Sequence, residues 1–363
     1  MIVVIADDLT GAAELAGISL RYGLQVKLSL GDAIETNAEV LVVCTDSRSL
    51  SKDDAMKVTG TAISSVIKLK PQFIYKKIDS VLRGHVIDEI KVQMELSGKT
   101  KVLIIPANPS LGRIVKDGEY FIDGKRITGT GFTKDPEFPV SSSFVKDIVG
   151  DESVKVLKYT ENLLQQGIVI GEAVSVDDIK GWLSVIDETW MLVGAGDLYN
   201  AILDKTYEVK AQEHFELQLP HLYVCGTAFN ERKQFIKKLA KEKNVVAYLP
   251  ASVDEEWLQQ TGSKLKEQRR LVIAIDDLPA TALEIRTAMA KAVKEIVTGA
   301  QVKEIFIEGG STAAAVLEEL GIKNLSPVNE LQRGVVRMEA DGLFITVKPG
   351  SYQLPEEILK LYT

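Results

Sequence analysis

The chain reads as an α/β protein of two domains, each a mostly parallel sheet flanked by helices. Three observations predict this. Short runs of Val, Ile and Leu alternate with longer stretches that carry apolar residues at helical spacing. The runs are nearly continuous and do not alternate with polar residues, as expected of strands covered on both faces by helices. At 363 residues the chain exceeds one ordinary core and suits two.

Strands are expected at residues 3–6, 26–30, 40–44, 73–77 and 102–105, with helices at 12–21, 52–70 and 86–96 between them. From 112 to about 150 Gly, Pro and Ser cluster. There Asp123-Gly124 separates Tyr120-Phe121-Ile122 from Arg126-Ile127-Thr128, a hairpin signal. This excursion reads equally as a flap over a site or as surface decoration. The alternation resumes with a strand at 168–170, a helix at 177–186 and a strand at 191–193. Residues 204–220 are polar and weakly periodic, so we assign a first domain to 1–208, a linker to 209–221 and a second domain to 222–363. The second domain has expected strands at 222–225, 245–249, 271–275 and 305–307. Expected helices lie at 231–241, 254–267, 281–297 and 312–320, and apolar pieces at 335–338 and 343–347 end it.

Composition narrows the function. The chain is 45% hydrophobic, and 43 basic residues face 51 acidic ones, a formal charge of −8. That balance argues against a general binder of nucleic acid or of anionic membranes, which needs a basic field. An anionic small molecule remains open, because a few cations can cluster locally. Cys44 and Cys225 each sit in an apolar run and read as buried free thiols. His85, His214 and His221 are too scattered for a histidine metal site. Residues 1–5 run into Ala6-Asp7-Asp8 without a basic leader and read as a first strand; no window approaches roughly 18 apolar residues. A cytoplasmic location is expected, and the oligomeric state, a homodimer included, is left open.

In open parallel sheets ligands bind beyond the carboxyl ends of the strands. The residues there are Asp7-Asp8-Leu9-Thr10-Gly11, then Thr45-Asp46-Ser47-Arg48, then Lys77-Ile78-Asp79-Ser80 with Arg83, then Asn108 with Arg113 nearby. Arg and Lys suit a carboxylate, and Asp, Asn and Ser suit hydroxyls, so the set fits a polyhydroxy acid. Each piece also has a plainer reading: Asp7-Asp8 as a helix N-cap, Asp79 with Arg83 as a structural ion pair, Arg48 as a solvated side chain. In the second domain the strand at 305–307 leads into Glu308-Gly309-Gly310-Ser311-Thr312 and a helix, where free backbone N–H groups suit an anion. Gly226-Thr227 and Lys348-Pro349-Gly350 follow other strands.

Standard nucleotide motifs fail. Gly98-Lys99-Thr100 ends like a P-loop, but Gln93 stands where its first Gly belongs. Gly194-Ala195-Gly196 follows a strand, but Tyr199 occupies the third glycine position of the dinucleotide fingerprint. These residues alone lead as far as a two-domain α/β enzyme with an anion site. A nicotinamide-dependent sugar-acid dehydrogenase and a non-catalytic nucleotide or metabolite regulator stay as alternatives.

Taken together and in order, several stretches resemble the four-carbon acid sugar kinase family, which includes D-threonate, D-erythronate and 3-oxo-tetronate kinases. They are residues 6–12, 77–84, Pro106-Ala107-Asn108-Pro109 with Gly112-Arg113, Asp135-Pro136 with Pro139-Val140, 309–313 and 347–350. The resemblance covers nearly the whole chain. It implies a sugar-acid-binding N-terminal domain and a nucleotide-binding C-terminal domain, with ATP and Mg2+ used to phosphorylate a terminal hydroxyl. On that footing Asp8, Lys77 and Arg83 are the expected catalytic residues. Asp7, Asp8, Asp46, Arg48, Lys77, Asp79, Arg83 and Asn108 are expected to bind the sugar acid, and Thr227, Gly309, Gly310, Ser311, Thr312 and Gly350 the nucleotide; no metal ligand is assigned. Ser311 stands where the family usually carries an acidic residue, and Gly226-Thr227-Ala228-Phe229 keeps part of a Gly-Ser-x-Ser turn.

Overall fold

A computed structural model describes the chain apart from Pro136, Gln212, Glu213, Ala228, Asp277 and Leu278, and at Lys134 the backbone alone. Pro136 of the Asp-Pro stretch, Ala228 of the 226–229 turn and two residues of the expected linker therefore lie outside the described residues. The chain divides into two compact units, Met1–Lys210 and Ala211–Thr363.

The first unit begins β1 (Ile2–Ala6), α1 (Leu9–Arg21), β2 (Val26–Leu30), β3 (Val40–Cys44), α2 (Lys52–Lys68), β4 (Phe73–Lys77), α3 (Val86–Ser97) and β5 (Lys101–Ile105). The excursion follows as β6 (Arg113–Lys116), β7 (Glu119–Ile122) and β8 (Lys125–Arg126), then α4 (Val145–Val149) and β9 (Lys155–Leu157). The unit closes with β10 (Gly167–Gly171), α5 (Val176–Val185), β11 (Trp190–Gly194) and α6 (Gly196–Leu203). Its main sheet runs β2-β3-β1-β4-β11-β5-β10-β9 with every pairing parallel. β1 has β3 on one side and β4 on the other, which makes it the point where strand order reverses. Register there is level: Ala6 pairs with both Cys44 and Lys77. Three loops therefore leave the sheet at one height. Val3, Ile5, Leu41 and Val43 pack with Ala62, Ile63 and Val66 of α2 into one apolar cluster.

The excursion differs from a plain hairpin. It is a three-stranded antiparallel sheet, β6-β7-β8. Asp117-Gly118 and Asp123-Gly124 turn with positive φ at both residues (50° and 78°; 49° and 75°), as two-residue hairpin turns require. Ile127-Thr128, expected to flank the second turn as strand, enters a 3₁₀ turn instead. α6 starts at Gly196, inside the Gly194-Ala195-Gly196 stretch, where the sequence shows a glycine pattern and no side-chain cap.

The second unit contains β12 (His221–Cys225), α7 (Asn230–Glu242), β13 (Val246–Tyr248), α8 (Glu255–Gln268), β14 (Arg270–Ala274) and α9 (Ala282–Ala300). It continues with β15 (Glu304–Glu308), α10 (Gly310–Glu319), β16 (Asn324–Gln332), β17 (Val335–Ala340), β18 (Leu343–Lys348) and α11 (Glu356–Tyr362). β13-β14-β12-β15-β18 is parallel, and β18-β17-β16 is an antiparallel meander. β16 has Pro327 and two register shifts, which hid it from a periodicity reading. Helix starts follow their caps: Asp254 accepts from the Trp257 N–H, and Thr281 forms a capping box with Glu284. α11 lays Ile358 and Tyr362 into a core with Tyr223, Val272 and Phe306. Among the described residues no helix is long and apolar enough to cross a membrane.

Candidate active site

In the first unit the level tips of β1, β3 and β4 gather charge. Asp8 caps α1, its carboxylate accepting from the Gly11 N–H at 3.0 Å and from the Thr10 hydroxyl. Arg48 spans the two aspartates. Its Nε donates to Asp7 Oδ2 at 2.8 Å, and its Nη2 donates to Asp7 Oδ1 at 3.0 Å and Asp8 Oδ1 at 2.7 Å. Arg83 grips Asp79 in the same two-pronged way, at 2.8 and 3.0 Å, and reaches Asp135 Oδ2 at 2.9 Å. Arg48 Nη1 lies 3.9 Å from Asp79 Oδ1, joining the two groups. Lys77 Nζ donates to the Ile78 carbonyl at 3.0 Å and lies 3.4 Å from Glu14 Oε2. A Cβ on Gly11 would come within 2.7 Å of Asp8 Oδ1 and 3.1 Å of Lys77 Nζ, so glycine lets both reach the start of α1.

The electrostatics separate the neighbouring aspartates. Burial pushes the Asp7 carboxyl up, and Arg48 only partly offsets it. Burial acts on Asp8 too, but Arg48, Lys77 and the Thr10 hydroxyl outweigh it and hold that carboxyl below its usual range. Asp79 lies well below that range because Arg83, Arg48 and Lys77 together overcome its burial. The Arg83 guanidinium is correspondingly raised, Asp79 outweighing its burial. Asp8 and Asp79 are thus firmly ionised acceptors.

Of the residues expected in this site, Asp7, Asp8, Arg48, Lys77, Asp79 and Arg83 come together. Asn108 is buried and turned to α6, its Oδ1 accepting from the Asp197 N–H at 2.8 Å. Asp46 is exposed, at φ 47°, between the buried Thr45 and Ser47. Below the β3 loop, Ser47 donates to Glu89 Oε1 at 2.7 Å and the buried Lys76 donates to Glu89 Oε2. Asp135 was expected only as part of a family stretch, and nothing in the sequence spacing tied it to Arg83. It arrives on the excursion, beside Phe132, whose ring lies 5.4 Å from the Arg83 guanidinium carbon.

In the second unit the tips of β12, β15 and β18 carry Gly226-Thr227, Gly309-Gly310 and Pro349-Gly350. Gly309 has φ 111°, a glycine conformation, and directly precedes α10. A Cβ on Gly226 would meet Thr312 Oγ1 at 2.0 Å, so the first turn lies directly on the start of α10. Beside it opens a cavity of about 610 Å³. Gly226, Thr227, Ser311 and Thr312 contribute polar lining, Lys233, Arg286 and Asp276 bring charge, and Ile275, Ala282, Ile285 and Met289 contribute apolar lining. Residues 282, 285 and 289 lie on one face of α9, a spacing legible in the sequence as ordinary core packing. A helix N-terminus with cations beside an apolar slot suits a phosphorylated ligand with a flat apolar end. Expected nucleotide residues Thr227, Ser311 and Thr312 line this cavity. Gly309 and Gly350 adjoin it, a Cβ on Gly350 lying 3.0 Å from Thr227 Oγ1.

The dinucleotide reading of Gly194-Ala195-Gly196 meets a physical obstacle. Tyr199 is fully buried, its ring 5.2 Å from that of Tyr75 and its hydroxyl 2.9 Å from Ser19 Oγ, so the place of the third glycine is filled. Among the described residues no group of three or more His, Cys, Asp or Glu could by itself hold a metal ion.

Comparison with known proteins agrees with this geometry. Residues 2–199 match the family profile of a sugar-binding N-terminal domain, and residues 206–352 that of a nucleotide-binding C-terminal domain. A D-threonate kinase of Salmonella typhimurium is 26% identical, over 96% of this chain and 95% of its own. A D-erythronate kinase of Heliobacterium modesticaldum is 31% identical over 42% of this chain and 36% of its own. A solved protein from Salmonella typhimurium shares the fold, with a TM-score of 0.83 at 17% identity, over 99% of this chain and 98% of that one. With both profiles matched in order along most of its length, the chain belongs to the four-carbon acid sugar kinase family and is a phosphotransferase that acts on an alcohol group.

Proposed function

We propose that the protein transfers the terminal phosphoryl group of ATP to a hydroxyl of a four-carbon sugar acid, with D-threonate, D-erythronate and 3-oxo-tetronate as the candidate acceptors. The carrying observation is the linked set Asp7-Asp8-Arg48-Asp79-Arg83 on level strand tips, which offers fixed acceptors for hydroxyls and guanidinium donors for a carboxylate. The sugar acid occupies the first unit and the nucleotide the second, the adenine end against the α9 wall and the phosphates toward Thr227 and the start of α10.

Phosphoryl transfer asks chiefly for positioning and charge neutralisation. Asp8 accepts a hydrogen bond from the attacking hydroxyl and aims its oxygen; its low pKa suits an orienting acceptor more than a strong base. Lys77, beside it, neutralises charge gathering on the transferred group. Arg83 takes the substrate carboxylate by exchanging its contact with Asp135, and Asp79 keeps the guanidinium flat toward it. Mg2+ is the expected companion of ATP and is usually held by one or two carboxylates together with phosphate oxygens. Asp276, a carboxylate in the cavity lining whose Oδ1 lies 3.5 Å from Lys237 Nζ, would supply one such ligand by giving up that contact. Bound there, the ion would neutralise phosphate charge.

The test is an ADP-release screen with D-threonate, D-erythronate, L-threonate, 3-oxo-tetronates and glycerate. Turnover on one or more four-carbon acids is expected. ATP binding without transfer to any of them would replace the kinase reading by that of a nucleotide-binding regulator.

A further inference from the structure

β12, β15 and β18 end level, because Cys225 pairs with Glu308 and Glu308 pairs with Lys348. The turns Gly226-Thr227, Gly309-Gly310 and Pro349-Gly350 emerge directly beyond these three residues. Glu308 has no solvent exposure. A lone buried carboxylate is costly, so its partners are informative. Arg232 Nε lies 3.0 Å from Oε1 and 2.8 Å from Oε2, Lys348 Nζ donates to Oε1 at 2.8 Å, and the Tyr223 hydroxyl donates to Oε2.

The two cationic partners lead to different turns, and Glu308 itself to the one between. Arg232 sits in the first turn of α7, the helix that follows Gly226-Thr227. Lys348 Nζ also donates to the Pro349 carbonyl at 2.8 Å, which holds the third turn where Gly350 approaches Thr227. Glu308 itself enters the second turn at Gly309. One carboxylate against Arg232 and Lys348 also leaves one net positive charge below the start of α10. Burial lowers the Lys348 pKa and Glu308 opposes that, so without Glu308 the ammonium would lose its proton or leave its place.

We infer that Glu308 is a positioning residue for nucleotide binding: through Arg232 and Lys348 it sets the spacing of the three turns that cradle the phosphates. This rests on reading the second unit as the nucleotide site. Neither composition nor motif spacing marks Glu308, since an acid before two glycines looks like an ordinary strand end.

The test compares ATP dissociation constants by calorimetry, KM for the sugar acid, and melting temperature in E308Q, K348M and E308Q/K348M. Both single variants should weaken ATP by about tenfold or more while the sugar-acid KM stays within about twofold. E308Q leaves Arg232 and Lys348 without their buried counter-ion and should melt lower. The double variant restores the wild-type net charge of the hub and should regain melting temperature but not ATP affinity. K348M keeps a neutral Glu308–Arg232 pair and decides the matter should E308Q not fold. ATP affinity within about twofold of wild type in the folded variants, or regained in the double variant, would overturn the inference. Wild-type protein that binds no ATP would instead remove the nucleotide reading, and this inference with it.

Discussion

The two units use the same place in a parallel sheet, the level tips of strands around a reversal of strand order, but distribute charge there in opposite ways. In the first, the ions form the site itself: Arg48 and Arg83 already hold Asp7, Asp8, Asp79 and Asp135. In the second, the buried ion cluster lies beneath the floor, around Glu308, while the cavity presents glycine turns, hydroxyls and a helix start, with Lys233, Asp276 and Arg286 also in its lining. On the function proposed above, the contrast follows from what each unit holds. A polyhydroxy acid needs acceptors aimed at hydroxyls, and such carboxylates must be kept ionised by cations. A nucleotide brings its own negative charge, so the cavity needs N–H donors and room.

This comparison can be broken at several points. The largest effect is expected from Asp8→Asn, which should lower turnover by roughly 10²–10⁴ while ATP affinity stays near wild type. Turnover like that of wild type would remove Asp8 from the chemistry. Next comes Arg83→Met, expected to raise the sugar-acid KM by roughly 10- to 100-fold and to leave the ATP KM alone, because a charged hydrogen-bond partner is lost in the first unit only. Equal rises in both KM values would contradict the division of labour. Gly226→Ala tests the other half: its methyl would collide with Thr312 Oγ1, and ATP should weaken about tenfold with the sugar-acid KM unchanged.

The smallest expected effect concerns acid. His221 in the second unit is buried beside Arg337, and burial takes its pKa down to about 3 from 6.5. The unfolded chain therefore binds the extra proton, and stability falls as pH drops from about 6.5 toward 3. Asp79 in the first unit is held low by Arg83 and Arg48, so its contribution is lost only below about pH 4, through its low folded value. Asp7, raised by burial, works in the opposite sense and in a different window, adding stability as pH falls from its raised folded value to about 4. Trp257 reports on the second unit and Trp182 and Trp190 on the first. Fluorescence should show the second loosening at higher pH, with His221→Leu flattening its slope. A first unit that yields earlier would reject this assignment.

Much of this was readable in advance, for a physical reason. Strands covered on both faces announce themselves as apolar runs, and the residues just past them are placed by the sheet alone, which is why Asp7, Asp8, Arg48, Lys77, Asp79 and Arg83 could be named together. Asn108 shows the limit of that argument: strand-end position does not say which way an amide faces, and it faces Asp197. Asp135 and Glu308 were beyond reach because their partners are distant in sequence and set by tertiary packing. β6 was missed although Asp117-Gly118 repeats the turn signal of Asp123-Gly124. Pro327 and its neighbouring register shifts broke the periodicity that would have revealed β16.

Cys44 and Cys225 give the molecule a built-in pair of clocks. Each is the last residue of a central strand, one in each unit, and each is a buried free thiol. Burial pushes both thiols up, Cys225 to about 12, so neither reacts while its strand end stays covered. The rate at which a thiol reagent consumes each one therefore times the opening of its own half. A bound sugar acid should slow the first clock and ATP the second.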